Sequence, residues 1–162
     1  MMVKDPEAVV LHDILGIVPL FQELTPEELD RIIVLGRLVT YCKDAMLFVE
    51  GDPGEALYIV VEGSVRIGKN VPGAKEEAMA FIERGGCFGE MALFDEFPRS
   101  ATAIAHQECR VLFIEKQAFL DLLRHEPVIG RKILWAFCRT LSVRLRETTD
   151  RIVALFALAR PF

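Results

Sequence analysis

The chain has no excess of basic charge and few histidines and cysteines. Its 162 residues include 19 Lys and Arg against 24 Asp and Glu, a formal net charge of −5. Nonspecific nucleic-acid binding depends on excess Lys and Arg, so this balance argues against it, and any anion site must be built locally. The three histidines are scattered, and the four cysteines form no CxxC pair or zinc spacing. We therefore expect no metal site, and reduced thiols of the kind found in cytoplasmic proteins.

Long apolar runs are also missing. No run reaches the length of a membrane-spanning helix, and the N-terminus has no apolar core behind a basic start. We therefore expect neither a membrane segment nor a signal peptide. Hydrophobic residues still make up 52% of the chain, which is enough to build a core. The length fits one domain with an appended helix, so we predict a single domain over residues 1–162.

The hydrophobic periodicity changes twice and divides the chain into three parts. Residues 1–39 and 116–162 show helical spacing. Residues 40–115 contain short apolar runs separated by turn signals such as Gly51-Asp52-Pro53-Gly54 and Val71-Pro72-Gly73. Turns spaced about eight to twelve residues apart indicate a β-sandwich or barrel. The predicted fold class is therefore mostly β with flanking helices.

Helix boundaries are marked on both sides of the β region. Thr25 followed by Pro26 and then by Glu28 predicts a helix start with a capping box. A short amphipathic helix is predicted for Gln117–His125, ending before Pro127.

A longer helix is predicted from about Val128 to Ala159, with a single apolar seam. Its positions step by three and four residues, as the a and d positions of a heptad do. They are Leu134, Cys138, Leu141, Leu145, Thr148, Ile152, Leu155 and Ala159. This pattern predicts a parallel homodimer through residues 134–159. The alternative is a helix packed on its own barrel.

The segment FGEMALFDEFPRSAT carries the chemistry. Gly89 lets the backbone approach a ligand closely, and residues 91–94 can form a helical turn whose free N–H groups attract anions. Arg99 can hold a phosphate through two parallel hydrogen bonds, and Ser100 adds a hydroxyl. Glu90 would repel that phosphate, so we expect it to accept a hydrogen bond from a sugar hydroxyl while pairing with Arg99. Taken alone, an Arg after a Pro is usually a solvated loop residue.

The whole segment resembles the phosphate-binding cassette of cyclic-nucleotide-binding domains, which include bacterial catabolite activator proteins and regulatory subunits of cyclic-AMP-dependent kinase. The resemblance implies a double-stranded β-helix, or jelly-roll barrel, with N-terminal helices and a long C-terminal dimerisation helix. It implies that Arg99 holds the exocyclic phosphate oxygens and that Glu90, with the Gly89 backbone, binds the ribose 2′-hydroxyl. The implied ligand-binding residues of the barrel are Gly89, Glu90, Met91, Ala92, Arg99, Ser100 and Ala101, with Ile67 and Met79 as apolar walls.

Residues 144–150 resemble the central helix of catabolite activator proteins, where two adjacent hydroxyl residues meet the adenine, one from each subunit. Thr148 and Thr149 fall at those positions. Thr148 also lies on the predicted seam, where a contact across the dimer must lie. These hydroxyls favour cAMP, although Ser100 in place of an alanine keeps cGMP open.

The predicted function is a sensor domain that binds cAMP and relays it through the C-terminal helix, with no cofactor and no catalysis. We expect no DNA-binding domain, because the chain stops just after the long helix. One alternative is the same fold without nucleotide binding, as a dimerising scaffold or a sensor of cyclic di-GMP or haem. A jelly-roll enzyme would need clustered His and carboxylate ligands, and His106 is the only histidine near the predicted strands.

Overall fold

Two helices precede the strands in a computed structural model that describes residues 6–69 and 77–158. They are α1 (Pro6–Ile17) and α2 (Pro26–Leu35). The predicted capping box of α2 is present: the Glu28 N–H donates to the Thr25 hydroxyl at 3.3 Å, and the Thr25 N–H donates to the Glu28 carboxylate at 2.8 Å. These two bonds satisfy backbone donors that a helix start leaves free.

The described residues of the β region form two antiparallel sheets of four strands each, in the orders β1-β8-β3-β6 and β2-β7-β4-β5. The strands are β1 (Gly36–Tyr41), β2 (Met46–Phe48), β3 (Ala56–Glu62), β4 (Ser64–Lys69), β5 (Glu77–Glu83), β6 (Cys87–Phe88), β7 (Thr102–Ala105) and β8 (Cys109–Glu115). This arrangement confirms the predicted fold, mostly β with the jelly-roll architecture and flanking helices.

One boundary differs from the sequence-based prediction. The strands begin at Gly36 rather than at residue 40, because β1 pairs along its whole length with β8, from Gly36 opposite Ile114 to Tyr41 opposite Cys109. A side chain at position 36 would collide with Leu112 across this pair, so glycine suits the point where α2 ends and β1 begins. The predicted turn at 71–73 lies outside the described residues.

Strand β3 is buried on both faces and therefore joins two cores. Leu57, Ile59 and Val61 pack with the helices on one side of their sheet. Tyr58 and Val60 alternate with them and pack between the two sheets. This alternation is the period of a strand, and it explains why the run of residues 56–61 is apolar throughout.

Three helices complete the fold. The short α3 (Met91–Phe94) follows β6, and α4 (Lys116–His125) follows β8. The last helix, α5 (Pro127–Leu158), packs its first part on the core through Ile129, Ile133 and Phe137, whereas residues 141–158 are exposed throughout. Within the described ranges, none of the helices has the combined length and hydropathy of a membrane span.

Candidate functional site

A cavity of about 670 Å³ lies between the barrel, the segment around α3 and the helix α5. Its volume falls in the range of small-molecule sites, about 300–1,000 Å³. The structure brings together here ten of the eleven residues predicted from the sequence. They are Ile67, Met79, Gly89, Glu90, Met91, Ala92, Arg99, Ser100, Ala101 and Thr148.

Arg99 is built into the wall of this cavity as a buried cation. Its guanidinium lies over the Phe48 ring, with Cζ 4.2 Å from the ring centroid, and the residue is 5% exposed. Nη1 donates to the Gly89 carbonyl at 3.0 Å and Nη2 to the Ala56 carbonyl at 2.7 Å. Burial lowers the pKa of the Arg99 guanidinium, although an arginine stays charged under ordinary conditions.

The third nitrogen of the Arg99 guanidinium is Nε. This atom is buried and has no hydrogen-bond partner among the described residues. A buried donor without a partner is unfavourable, and more so when it belongs to a charged group. An anion in the cavity beside Arg99 would supply the counter-charge, and one that reached Nε would also supply the missing acceptor.

Gly89 is needed for this position of Arg99. Its φ of 80° lies in the left-handed region that glycine favours. A Cβ at this position would lie 2.5 Å from Arg99 Nη1 and 3.1 Å from the Ala56 oxygen. The close approach of backbone and guanidinium therefore depends on the missing side chain.

Glu90 has a different partner from the one we expected. This carboxylate is 5% exposed and forms an ion pair with Arg144 of α5, not with Arg99. The ion pair is therefore not the expected one with Arg99, whose two Nη groups donate to backbone carbonyls. The pair with Arg144 fastens α5 to the cavity wall.

A polar face of α5 closes the cavity, and the sequence analysis missed most of it. Arg144, Glu147, Thr148 and Arg151 all line the wall. Arg144 lies four residues before Thr148 and Arg151 three residues after it, the spacing that places side chains on one face of a helix, and Glu147 is the neighbour of Thr148. Their spacing from Thr148 was the signal in the sequence that could have identified Arg144 and Arg151 as wall residues.

The two adjacent threonines face different surroundings. Thr148 lines the cavity of its own chain, whereas Thr149 does not line it in the part of the chain that the structure describes. Each hydroxyl donates to a carbonyl one turn back, Thr148 to Arg144 and Thr149 to Leu145, both at 2.8 Å. The Thr148 hydrogen is therefore engaged within the helix, and the oxygen keeps its lone pairs as acceptors.

Cys87 is a further wall residue, and its thiol is neutral. Burial, and to a smaller extent the Glu90 carboxylate, raises the pKa of Cys87 to about 12. Because the thiolate is the reactive form, Cys87 acts as an apolar wall residue rather than as a nucleophile.

Comparison with known proteins fits this geometry. The sequence pattern of the family described as cyclic nucleotide-binding domain matches residues 38–126. The cyclic AMP receptor protein of Thermus thermophilus is 36% identical over 129 residues, 80% of this chain and 58% of the relative. A cAMP-dependent protein kinase regulatory subunit of Colletotrichum orbiculare is 34% identical over 119 residues, 74% of this chain and 29% of the relative. The chain thus spans less than two thirds of either relative.

A solved structure is also similar to this chain. A cyclic nucleotide-binding domain from Methylobacillus flagellatus superposes with a TM-score of 0.78 and 28% sequence identity, covering 91% of this chain and 83% of that one. The matching residues 38–126 contain the barrel from the third residue of β1 onward and the segment that carries Glu90 and Arg99. The chain belongs to the family of cyclic nucleotide-binding domains.

Proposed function

We propose that this domain is a sensor that binds cAMP in the cavity and relays the binding through α5. The observation that carries the proposal is Arg99, a buried cation that lines the cavity and whose Nε has no hydrogen-bond partner among the described residues. A cyclic phosphate fits this position because it is anionic and offers acceptor oxygens. Ser100 and Ala101, which also line the cavity, would complete the phosphate contacts.

The remaining walls suit the other two parts of a nucleotide. Glu90 is an acceptor for the ribose 2′-hydroxyl, and Ile67 and Met79 are apolar surfaces for the base. The Thr148 oxygen presents lone pairs, which match the exocyclic amino group that adenine carries at C6. We therefore favour cAMP over cGMP.

The relay would begin at two contacts between the segment around α3 and the helix α5. Glu90 pairs with Arg144, and the Phe94 ring of α3 packs on Phe137 with centroids 4.3 Å apart. A ribose hydroxyl that binds Glu90 would share this carboxylate with Arg144, whose Nη1 contacts the Oε1 atom. Ligand binding therefore biases the position of α5, as differential affinity for two states requires.

A homodimer through residues 134–159 is part of the proposal, with Ala159 outside the described residues. The apolar seam residues Leu134, Leu141, Leu145, Ile152 and Leu155 are 37–68% exposed in the single chain. Since Thr148 faces its own cavity, we assign the contact across the dimer to Thr149, in place of the Thr148 contact predicted from the seam. A cytoplasmic location is also proposed, supported by four free cysteines, each within the described residues.

Isothermal titration calorimetry of the nucleotide-free protein with cAMP, cGMP and 5′-AMP tests the proposal. We expect saturable binding near one nucleotide per chain, tighter for cAMP than for cGMP and weakest for the non-cyclic 5′-AMP. T148V should weaken cAMP binding, and T148S should retain it. A preference for cGMP would keep the cavity and overturn the assignment of the base. Absence of binding would overturn the proposal, leaving a dimerising scaffold or a sensor of another ligand.

A further inference from the structure

Lys116, the first residue of α4, holds the C-terminal end of α3. Its Nζ donates to the carbonyls of Ala92 at 2.5 Å and Asp95 at 3.2 Å. Its own backbone N–H donates to the Glu55 carbonyl at 2.8 Å, which fixes the base of the side chain. Lys116 is not among the described residues that line the cavity. Its side chain therefore approaches α3 from outside the cavity.

The helix that Lys116 holds is too short to be stable alone. Residues 91–94 form one turn, with hydrogen bonds from the Leu93 N–H to the Glu90 carbonyl and from the Asp95 N–H to the Met91 carbonyl, both 3.1 Å. A single turn gains too few hydrogen bonds to offset the ordering of its backbone, so its position depends on tertiary contacts. A cation at its last carbonyls is a favourable contact of this kind.

The opposite boundary of α3 is set by a close backbone approach. A Cβ on Gly54 would lie 2.0 Å from the Cβ of Ala92, so the turn before β3 packs directly on α3. Contact with Gly54 limits how far α3 can move toward that turn, and Lys116 holds its carbonyl end. The cavity wall includes three residues of α3 and its C-terminal end, Met91, Ala92 and Asp95.

We propose that Lys116 is a positioning residue for the nucleotide site, one that preorganises α3 without touching the ligand. The expected effect of Lys116 on nucleotide binding rests on the proposed function. Loss of the two hydrogen bonds would leave α3 free to shift its wall residues away from the ligand. Binding would then have to reorder α3, and this ordering would weaken the observed affinity.

The test uses three variants of the full chain. K116M keeps the apolar stem and removes the donors, while K116R keeps a cation that can reach both carbonyls. K132M is the matched control, because Lys132 donates to Glu28 at 2.7 Å and makes a partly buried ion pair away from the cavity. The measurements are the dissociation constant for cAMP by calorimetry and amide exchange at Leu93 and Asp95 by NMR in the nucleotide-free proteins.

We expect K116M to bind cAMP about tenfold more weakly, because hydrogen bonds from a charged donor are lost. Exchange at the Leu93 and Asp95 amides should be faster in K116M than in the parent, K116R or K132M. Should K116M fail to fold, K116Q takes its place with a smaller loss expected, since its amide still donates to one carbonyl. Unchanged affinity and unchanged exchange in a folded variant would overturn the proposal, as would equal losses in K116M and K116R.

The failure of this inference is distinguishable from failure of the proposed function. A parent protein that binds neither cAMP nor cGMP contradicts the proposed function. In that case the exchange rates still decide whether Lys116 holds α3, since they are measured without nucleotide.

Discussion

Glu90 and Arg144 form an ion pair between a buried carboxylate on the cavity wall and a half-exposed guanidinium on α5. The same carboxylate is the acceptor that we assign to the ribose hydroxyl. One group therefore serves both the ligand and the helix that carries the signal. This double role predicts that the ribose contact and the position of α5 are coupled.

The ribose assignment is tested with 2′-deoxy-cAMP. We expect the parent to bind this analogue about 1.5–3 kcal/mol more weakly than cAMP, the range for a hydrogen bond to a charged group. In E90Q the difference between the two ligands should shrink, because the charged acceptor is gone. Calorimetry of the four combinations gives the coupling energy. Equal discrimination by the parent and E90Q would show that Glu90 does not contact this hydroxyl.

Gly89 is predicted to be intolerant of even one methyl group. G89A should lose stability by at least about 1–2 kcal/mol, the cost of a left-handed conformation for an alanine, and should lose cAMP affinity because its Cβ displaces Arg99. The matched control is G16A in α1, where a Cβ meets open space and alanine favours the helix by about 0.5–1 kcal/mol. Urea denaturation measures the free energy of unfolding of both variants, and calorimetry measures their affinity for cAMP. A G89A protein as stable and as tight-binding as the parent would contradict the geometry.

Much of the fold and of the cavity wall could be predicted because the information is local. The capping box at Thr25 lies within four consecutive residues, and one segment carries both Glu90 and Arg99. Strand and helix periods identified the barrel and its flanking helices. The start of β1 was predicted too late because its pairing with β8 is a long-range contact.

The misses at the site have the same origin. Glu90 and Arg144 are 54 residues apart, and no periodicity links them. The sides of Thr148 and Thr149 depend on the drift between a straight helix and a heptad repeat, about 20° per heptad. A linear pattern therefore does not fix which of these two neighbouring residues lines the cavity.

The exposed seam of α5 predicts association in solution. L145K and I152K should convert a dimer into monomers, because each places a charge among apolar residues that the dimer would bury. V143K is the control, since Val143 is also exposed but lies off the seam by helical spacing. Sedimentation velocity distinguishes the two states. A parent that sediments at the mass of one chain with and without cAMP would contradict the proposed dimer.

The cavity thiol is predicted to be unreactive. With the pKa of Cys87 raised to about 12 by burial, its thiolate is scarce at pH 8, whereas Cys42 and Cys138 are exposed. Iodoacetamide at that pH should alkylate Cys42, which lies outside the proposed dimer seam, well before Cys87, as followed by peptide mass spectrometry. Alkylation of Cys87 at the rate of Cys42 would show that the cavity wall is open to solvent there.

The most direct test of the central claim is calorimetric titration of cAMP into the parent, R99A and R84A. Arg84 is exposed and off the cavity wall, so R84A controls for the loss of one positive charge. We expect R84A to bind like the parent and R99A to bind about 2–5 kcal/mol more weakly, the cost of truncating one partner of a buried charged pair. An R99A protein that is folded and binds cAMP as tightly as the parent would contradict the account.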